Sequence, residues 1–183
     1  MFFLFSSVKA GKKRIVAIGF ALTAMLLLAL LLSCSTDDAD DTNYPGVLPS
    51  ALVGKWAFLL PQTGLPLETY TITESSLAYS YEDSEWPEYN YSFIVDICFV
   101  SNFNSSSGVI IAKQTFPSAT PYTAIYYRNL SGSSVQLANV WDLLNNCSPD
   151  TASEEEAIAL FTKGNMGKYV DWGYVQPQTK IAP

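Results

Sequence analysis

From residue 51 onward the chain is cut into short runs of β-favouring residues separated by turn residues, and this spacing limits its fold more than any other feature. The runs are 52–60, 67–73, 76–82, 89–100, 108–116, 122–129 and 134–141. Between them lie stretches rich in Pro, Gly, Ser and Asp/Glu at 61–66, 82–88, 101–107, 117–121 and 131–133. Alternation is clearest in 89–99, where Tyr89, Tyr91, Phe93, Val95, Ile97 and Phe99 share one face and Asn90, Ser92 and Asp96 share the other. The abundance of Tyr, Phe and Trp suits half-buried strands. Many short strands at regular spacing indicate an antiparallel sandwich or barrel.

One helix interrupts the strands. Ser153 with Glu156 fits a capping box, and Glu154, Glu155 and Glu156 sit at the positive end of the helix dipole. Ile158, Phe161 and Ala157 supply an apolar stripe, and Lys163 with Gly164 predicts an end at about 163. Residues 168–175 read as a last short strand. The expected fold is therefore mainly β: an antiparallel barrel of eight or so strands over 51–183, with one C-terminal helix followed by a short strand.

The first strand contains Gly54-Lys55-Trp56. With the strand order and length across 51–175, this motif resembles the lipocalin or wider calycin group. The resemblance implies a barrel whose closed end is plugged by Trp56. Two features of that group are missing: there is no Thr-Asp-Tyr motif, and no Arg or Lys occurs in 130–162, ahead of the helix. Arg128 comes one strand early. A looser likeness joins the chain to small spirochaete-type lipoproteins with a Leu-x-Gly-x-Trp start (Leu52, Gly54, Trp56), a Tyr-Tyr strand (Tyr126, Tyr127) and a Glu-Ala helix before a terminal Trp. That group implies no defined activity.

The N-terminal part has a separate role. Residues 9–14 are basic, 15–32 are apolar and uncharged, and Leu31-Leu32-Ser33-Cys34 follows. This arrangement resembles the signal peptide and lipobox of bacterial lipoproteins. It implies a signal peptide over 1–33, cleavage before Cys34 and acylation of that residue. Stable anchoring needs more than one chain, at about 0.8 kcal/mol per buried CH₂, and multiple acylation of one cysteine supplies it. Ser35, in place of Asp, implies onward transport within the bacterial cell envelope, toward the outer membrane or the periplasmic face. Residues 34–50 are polar, acidic and punctuated by Pro45, Gly46 and Pro49, as a flexible tether would be.

Charge narrows the partners. Four of the ten basic residues precede Cys34, so the processed chain has six basic against 17 acidic groups, a net charge of −11. Such a body has no electrostatic route to nucleic acid or to anionic headgroups, so membrane attachment is expected through the lipid on Cys34. There is no His, which removes the commonest general base and metal ligand. Ser and Cys nucleophiles thus lack their usual base, and neither an enzyme, a metal nor a cofactor is expected. Cys98 and Cys147 allow two readings, a disulfide in an exported domain or two buried free thiols.

Two functions fit. One is a barrel holding a small apolar ligand, with Tyr79, Tyr81, Tyr91 and Phe93 as cavity lining if a cavity exists, the same residues otherwise being packed core. The other is a surface-interaction or structural lipoprotein with a filled barrel. It would present the loops 82–88 and 101–107, with Trp86 exposed, to a protein partner.

Overall fold

The computed structural model describes residues 45–117, 122–149 and 151–182. Within them, eight antiparallel strands run in sequence order around a closed barrel, each paired with the next, and β8 returns to β1. The strands are β1 Gly54–Leu59, β2 Pro66–Ile72, β3 Ser76–Tyr81, β4 Tyr91–Asn104, β5 Ser107–Phe116, β6 Tyr122–Arg128, β7 Ser134–Asn139 and β8 Gln178–Ile181. Between β7 and β8 lie α1, Glu154–Leu160, and α2, Met166–Tyr169. Among the described residues, no helix is long and apolar enough to cross a membrane. The expected signal peptide, Cys34 and the tether up to residue 44 lie outside the described residues.

Strand alternation builds two cores. Inward residues (Trp56, Ile72, Leu77, Val95, Ile110, Ile125, Tyr127 and Val135 among them) fill the barrel. The outward residues Val109, Ile111, Ala124, Tyr126, Ala138 and Val140 form a second core with Ala157 and Phe161 of α1 and Tyr169 of α2. Strands β5 and β6 are therefore apolar on both faces, because α1 covers their outer side. The phenol of Tyr126 ties the layers together by donating to the Thr162 carbonyl at 3.0 Å.

Several expectations need correction. The last strand lies not at 168–175 but at Gln178–Ile181. Tyr169 and Val170 are drawn into the outer core, so that segment folds as a helical turn, and β8 begins only after the next turn. The apolar face read through 89–99 does not run unbroken. Ile97 pairs with Ala112 and Phe99 with Ile111, so the register shifts over Cys98. This β-bulge reverses the facing: Phe93, Val95 and Ile97 pack inside, whereas Phe99 and Phe103 join the outer core. Tyr89 is not in a strand but in a short 3-10 turn, Pro87–Tyr89, and is exposed.

Helix α1 starts as expected, with Ser153 Oγ accepting from the Glu156 N–H at 3.2 Å, while Glu156 accepts from the Ala152 N–H at 2.9 Å. It ends at Leu160 rather than 163, and Gly164 does not adopt the left-handed conformation of a helix-terminating glycine. The tether also ends sooner than expected. Gly46 donates to the Val100 carbonyl at 2.7 Å, Asn102 donates to the Val47 carbonyl at 2.9 Å, and Leu48 packs on the barrel core, so residues from about 46 belong to the folded body.

Of the two readings of the cysteines, the disulfide is not formed: Cys98 and Cys147 are free, exposed thiols. Neither are they buried. The bulge turns Cys98 out of the ladder, where its thiol lies 3.5 Å from the Asp96 carbonyl, and Cys147 is held in a bridge to Asp142 in the loop after β7.

Candidate functional site

The two ends of the barrel differ. At one end a 3-10 turn, Ser50–Leu52, folds under the strands. Trp56, fully buried, donates from its indole nitrogen to the Leu52 carbonyl at 2.7 Å. The Lys180 ammonium lies 5.1 Å from the Trp56 ring centroid and donates to the Ala51 carbonyl at 3.1 Å. Gly54 makes room for this: its φ is +136°, and a Cβ there would sit 2.7 Å from the Lys180 Cε. The lysine over Trp56 thus comes from β8, after the helices. Arg128 serves elsewhere, stacking at 4.2 Å on Trp172.

At the other end the barrel opens into a cleft of about 350 Å³. Strand β1 runs from the sealed end to this mouth, so the inward residues at the end of β1, the start of β2, the end of β3, the start of β4 and the end of β7 meet there. They are Phe58, Glu68, Tyr79, Tyr91 and Asn139, with Tyr70 and Leu137 beneath them. Trp141 and Tyr174, from the chain between β7 and β8, complete the wall.

The tyrosines pack as a connected set. Tyr70 and Tyr79 meet edge-on at 4.8 Å, Tyr79 stacks on Phe93 at 5.0 Å, and Tyr81 stacks on Tyr91 at 6.0 Å. Of the four expected lining residues, Tyr79 and Tyr91 face the cleft, whereas Phe93 and Tyr81 support them from the sides. The sequence reading missed Glu68, Tyr70, Phe58 and Asn139. Glu68 had a readable signal: it shares the inward parity of Tyr70 and Ile72 in β2, and a carboxylate on an apolar face needs a reason.

Glu68 is the chemical focus of the mouth. Its carboxylate accepts from the Tyr79 hydroxyl at 3.2 Å and from the Gln178 amide at 3.4 Å. Burial holds its pKa above the ordinary 4.5, against the opposing pull of those two donors. Burial first, with the Glu68 charge adding to it, pushes Tyr70 and Tyr79 well above the usual phenol range, so both remain protonated. Gln178 is fully buried and also accepts from the Leu137 N–H at 2.8 Å, bridging the short β7–β8 seam with a side chain. Among the described residues, no Lys or Arg lines the cleft and no group of His, Cys, Asp or Glu is arranged to hold a metal ion.

A raised carboxyl pKa has a definite sign in stability. Between 4.5 and the raised value the folded chain holds the proton more tightly than the unfolded chain, so the penalty of ionised Glu68 grows as pH rises through that window. Glu68→Gln removes the penalty. The variant is expected to be at least as stable as the parent at pH 7.5 and to lose its advantage as pH falls toward 4.5, as urea midpoints at both values will show.

The loops expected to act together lie at opposite ends. Residues 82–90 join β3 to β4 at the mouth end and carry Trp86, 57 % exposed. Residues 101–104 belong to β4 and lead to its hairpin with β5 at the sealed end.

No protein-family model, curated protein or solved structure matches the chain. Function is therefore argued from the mouth and its chemistry.

Proposed function

We propose that this chain is a lipid-anchored, lipocalin-like binding module of the bacterial cell envelope that holds a small molecule with an apolar body in the barrel mouth. One observation carries the reading: the barrel is sealed and packed at the Trp56 end, yet opens into an aromatic-walled cleft of about 350 Å³ at the other. That volume is at the lower end of the ~300–1,000 Å³ common for small-molecule sites, and a few convergent polar groups on apolar walls are their usual composition. The Gly54–Trp56 plug with its covering lysine supports the lipocalin likeness, and the Leu31–Cys34 motif supports the anchor. The described chain enters the barrel at the sealed end, where Gly46 donates to the Val100 carbonyl, and the mouth lies at the other end.

The cleft can be blocked without cutting into the core. Asn139 is half-buried at the rim; its side-chain oxygen is buried without a hydrogen-bond partner, and the bond given up on replacement is the one its side chain makes with Tyr70. Asn139→Trp would set an indole in the mouth. A small neutral aromatic such as 2-phenylethanol, at ten times its Kd, is expected to stabilise the parent by about 1.4 kcal/mol and raise its Tm, and to leave Asn139→Trp unmoved. If the parent's Tm responds neither to 2-phenylethanol nor to analogues of the same body with a charged head group, the binding reading is wrong.

A second reading, a protein-interaction lipoprotein, is favoured by one observation. Large apolar side chains exposed around the mouth include Trp86, Tyr89, Trp141, Leu144 and Tyr174, the last two 91 % and 83 % exposed. A partner seated on this rim would cover the cleft rather than enter it.

A further inference from the structure

The walls of the mouth limit the charge of what can enter. Among the described residues, Glu68 is its only ionisable group of carboxylate or basic type, and no cation lines it: the Glu68 partners are the Tyr79 hydroxyl and the Gln178 amide. A carboxylate has about four lone-pair positions, so two such donors leave acceptor capacity for a ligand. Around it stand aromatic side chains, Tyr70, Tyr79, Tyr91, Phe58 and Trp141. The ring quadrupole attracts a cation placed over it, and aromatic walls recognise substituted ammonium ions in this way. An anionic head group would meet Glu68 with no base to neutralise it. Outside the mouth the bias continues: the loop 82–88, which follows β3 at the same end of the barrel, carries Glu82, Asp83, Glu85 and Glu88 and no basic residue. Asp83 is engaged in its own turn, accepting from the Glu85 and Trp86 N–H groups, whereas Glu82, Glu85 and Glu88 are exposed. Carboxylates lining an approach raise the local concentration of cations.

We propose that the mouth selects small organic amines in their cationic form, with the ammonium group at Glu68 and the apolar body against the tyrosines. This rests on the binding reading above and names its ligand class. It excludes free fatty acids and other carboxylates, which an apolar cavity alone would admit.

Three probes share one phenyl body and differ in the head: 2-phenylethylamine, 2-phenylethanol and 3-phenylpropanoate. Each is titrated calorimetrically into the full chain in non-ionic detergent at pH 7.5. The amine is expected to bind at least tenfold more tightly than the alcohol, with the carboxylate weakest. In Glu68→Gln the amine's advantage is expected to fall to within about twofold of the alcohol, whose own affinity reports that the cleft is intact. The parent series decides the matter even if that variant fails to fold. Equal or tighter binding of the alcohol or carboxylate overturns the amine assignment and leaves the binding module standing. Failure of all three to bind overturns both.

Discussion

Trp56→Ala is expected to cost about 3–5 kcal/mol, the range for removing a fully buried large aromatic. The indole fills the sealed end, so its loss opens a cavity that the closed ladder from β8 through β1 to β2 cannot collapse to fill. Two groups also lose their partner. The Leu52 carbonyl loses its indole donor, and the Lys180 ammonium loses the ring beneath it. Small domains are stable by about 5–15 kcal/mol, so this one change removes about a fifth of that at the least. A thermal melt followed by circular dichroism is expected to shift down by on the order of 10 °C. A shift of only a degree or two would show that the plug does not close the barrel.

Gly108→Ala is the second large effect, from a single added methyl. Gly108 lies on the inward face of β5, opposite Asn102 of β4 and Tyr127 of β6. A Cβ there would run into the Ser101 carbonyl and lie 2.5 Å from the Tyr127 hydroxyl oxygen. That hydroxyl cannot simply step aside, because it donates to Asn102 across the glycine, and burial pushes its pKa up to about 12. The methyl must either displace backbone or break this bond. Overpacking costs about 1–3 kcal/mol, and a lost buried hydrogen bond adds about 1. Gly132→Ala is the natural control. Nothing lies within 4 Å of its added Cβ and its φ is not in the left-handed region, so the same chemical change should be close to neutral. Denaturant midpoints of the two variants should separate clearly; similar midpoints would mean that the approach of β4, β5 and β6 at Gly108 is not as tight as described.

The barrel was readable because alternation and turn chemistry are local signals. Seven of the strands begin and end within a few residues of where period-two patterning puts them. What was hidden depends on contacts distant in sequence. The bulge at Cys98 is invisible to alternation, since Ile97 and Phe99 are both apolar and only the pairing with Ala112 and Ile111 reveals that they face opposite ways. The final strand was misplaced because Tyr169, Val170 and Trp172 look like strand residues while their partners are Phe161 and Arg128 in other elements. The candidate site was half legible. Tyr79 and Tyr91 followed from strand parity, but the lysine that covers Trp56 lies 124 positions further along the chain, and Trp141 and Tyr174 reach the mouth only through the path of the loop and helices before β8. Glu68 was the exception, visible in principle as a lone carboxylate on an inward face.

The most direct test of a ligand-holding barrel is native mass spectrometry of the full-length gene product purified from its own host in non-ionic detergent. The account predicts a chain that begins at Cys34 and carries acyl mass that survives denaturation. It also predicts a second, small mass, present in one copy per chain, that leaves on denaturation and is absent from Asn139→Trp. A lipidated chain that is reproducibly bare, and stays bare when small aromatic amines and alcohols are added, would contradict it and move the function from the cleft to the aromatic rim around it.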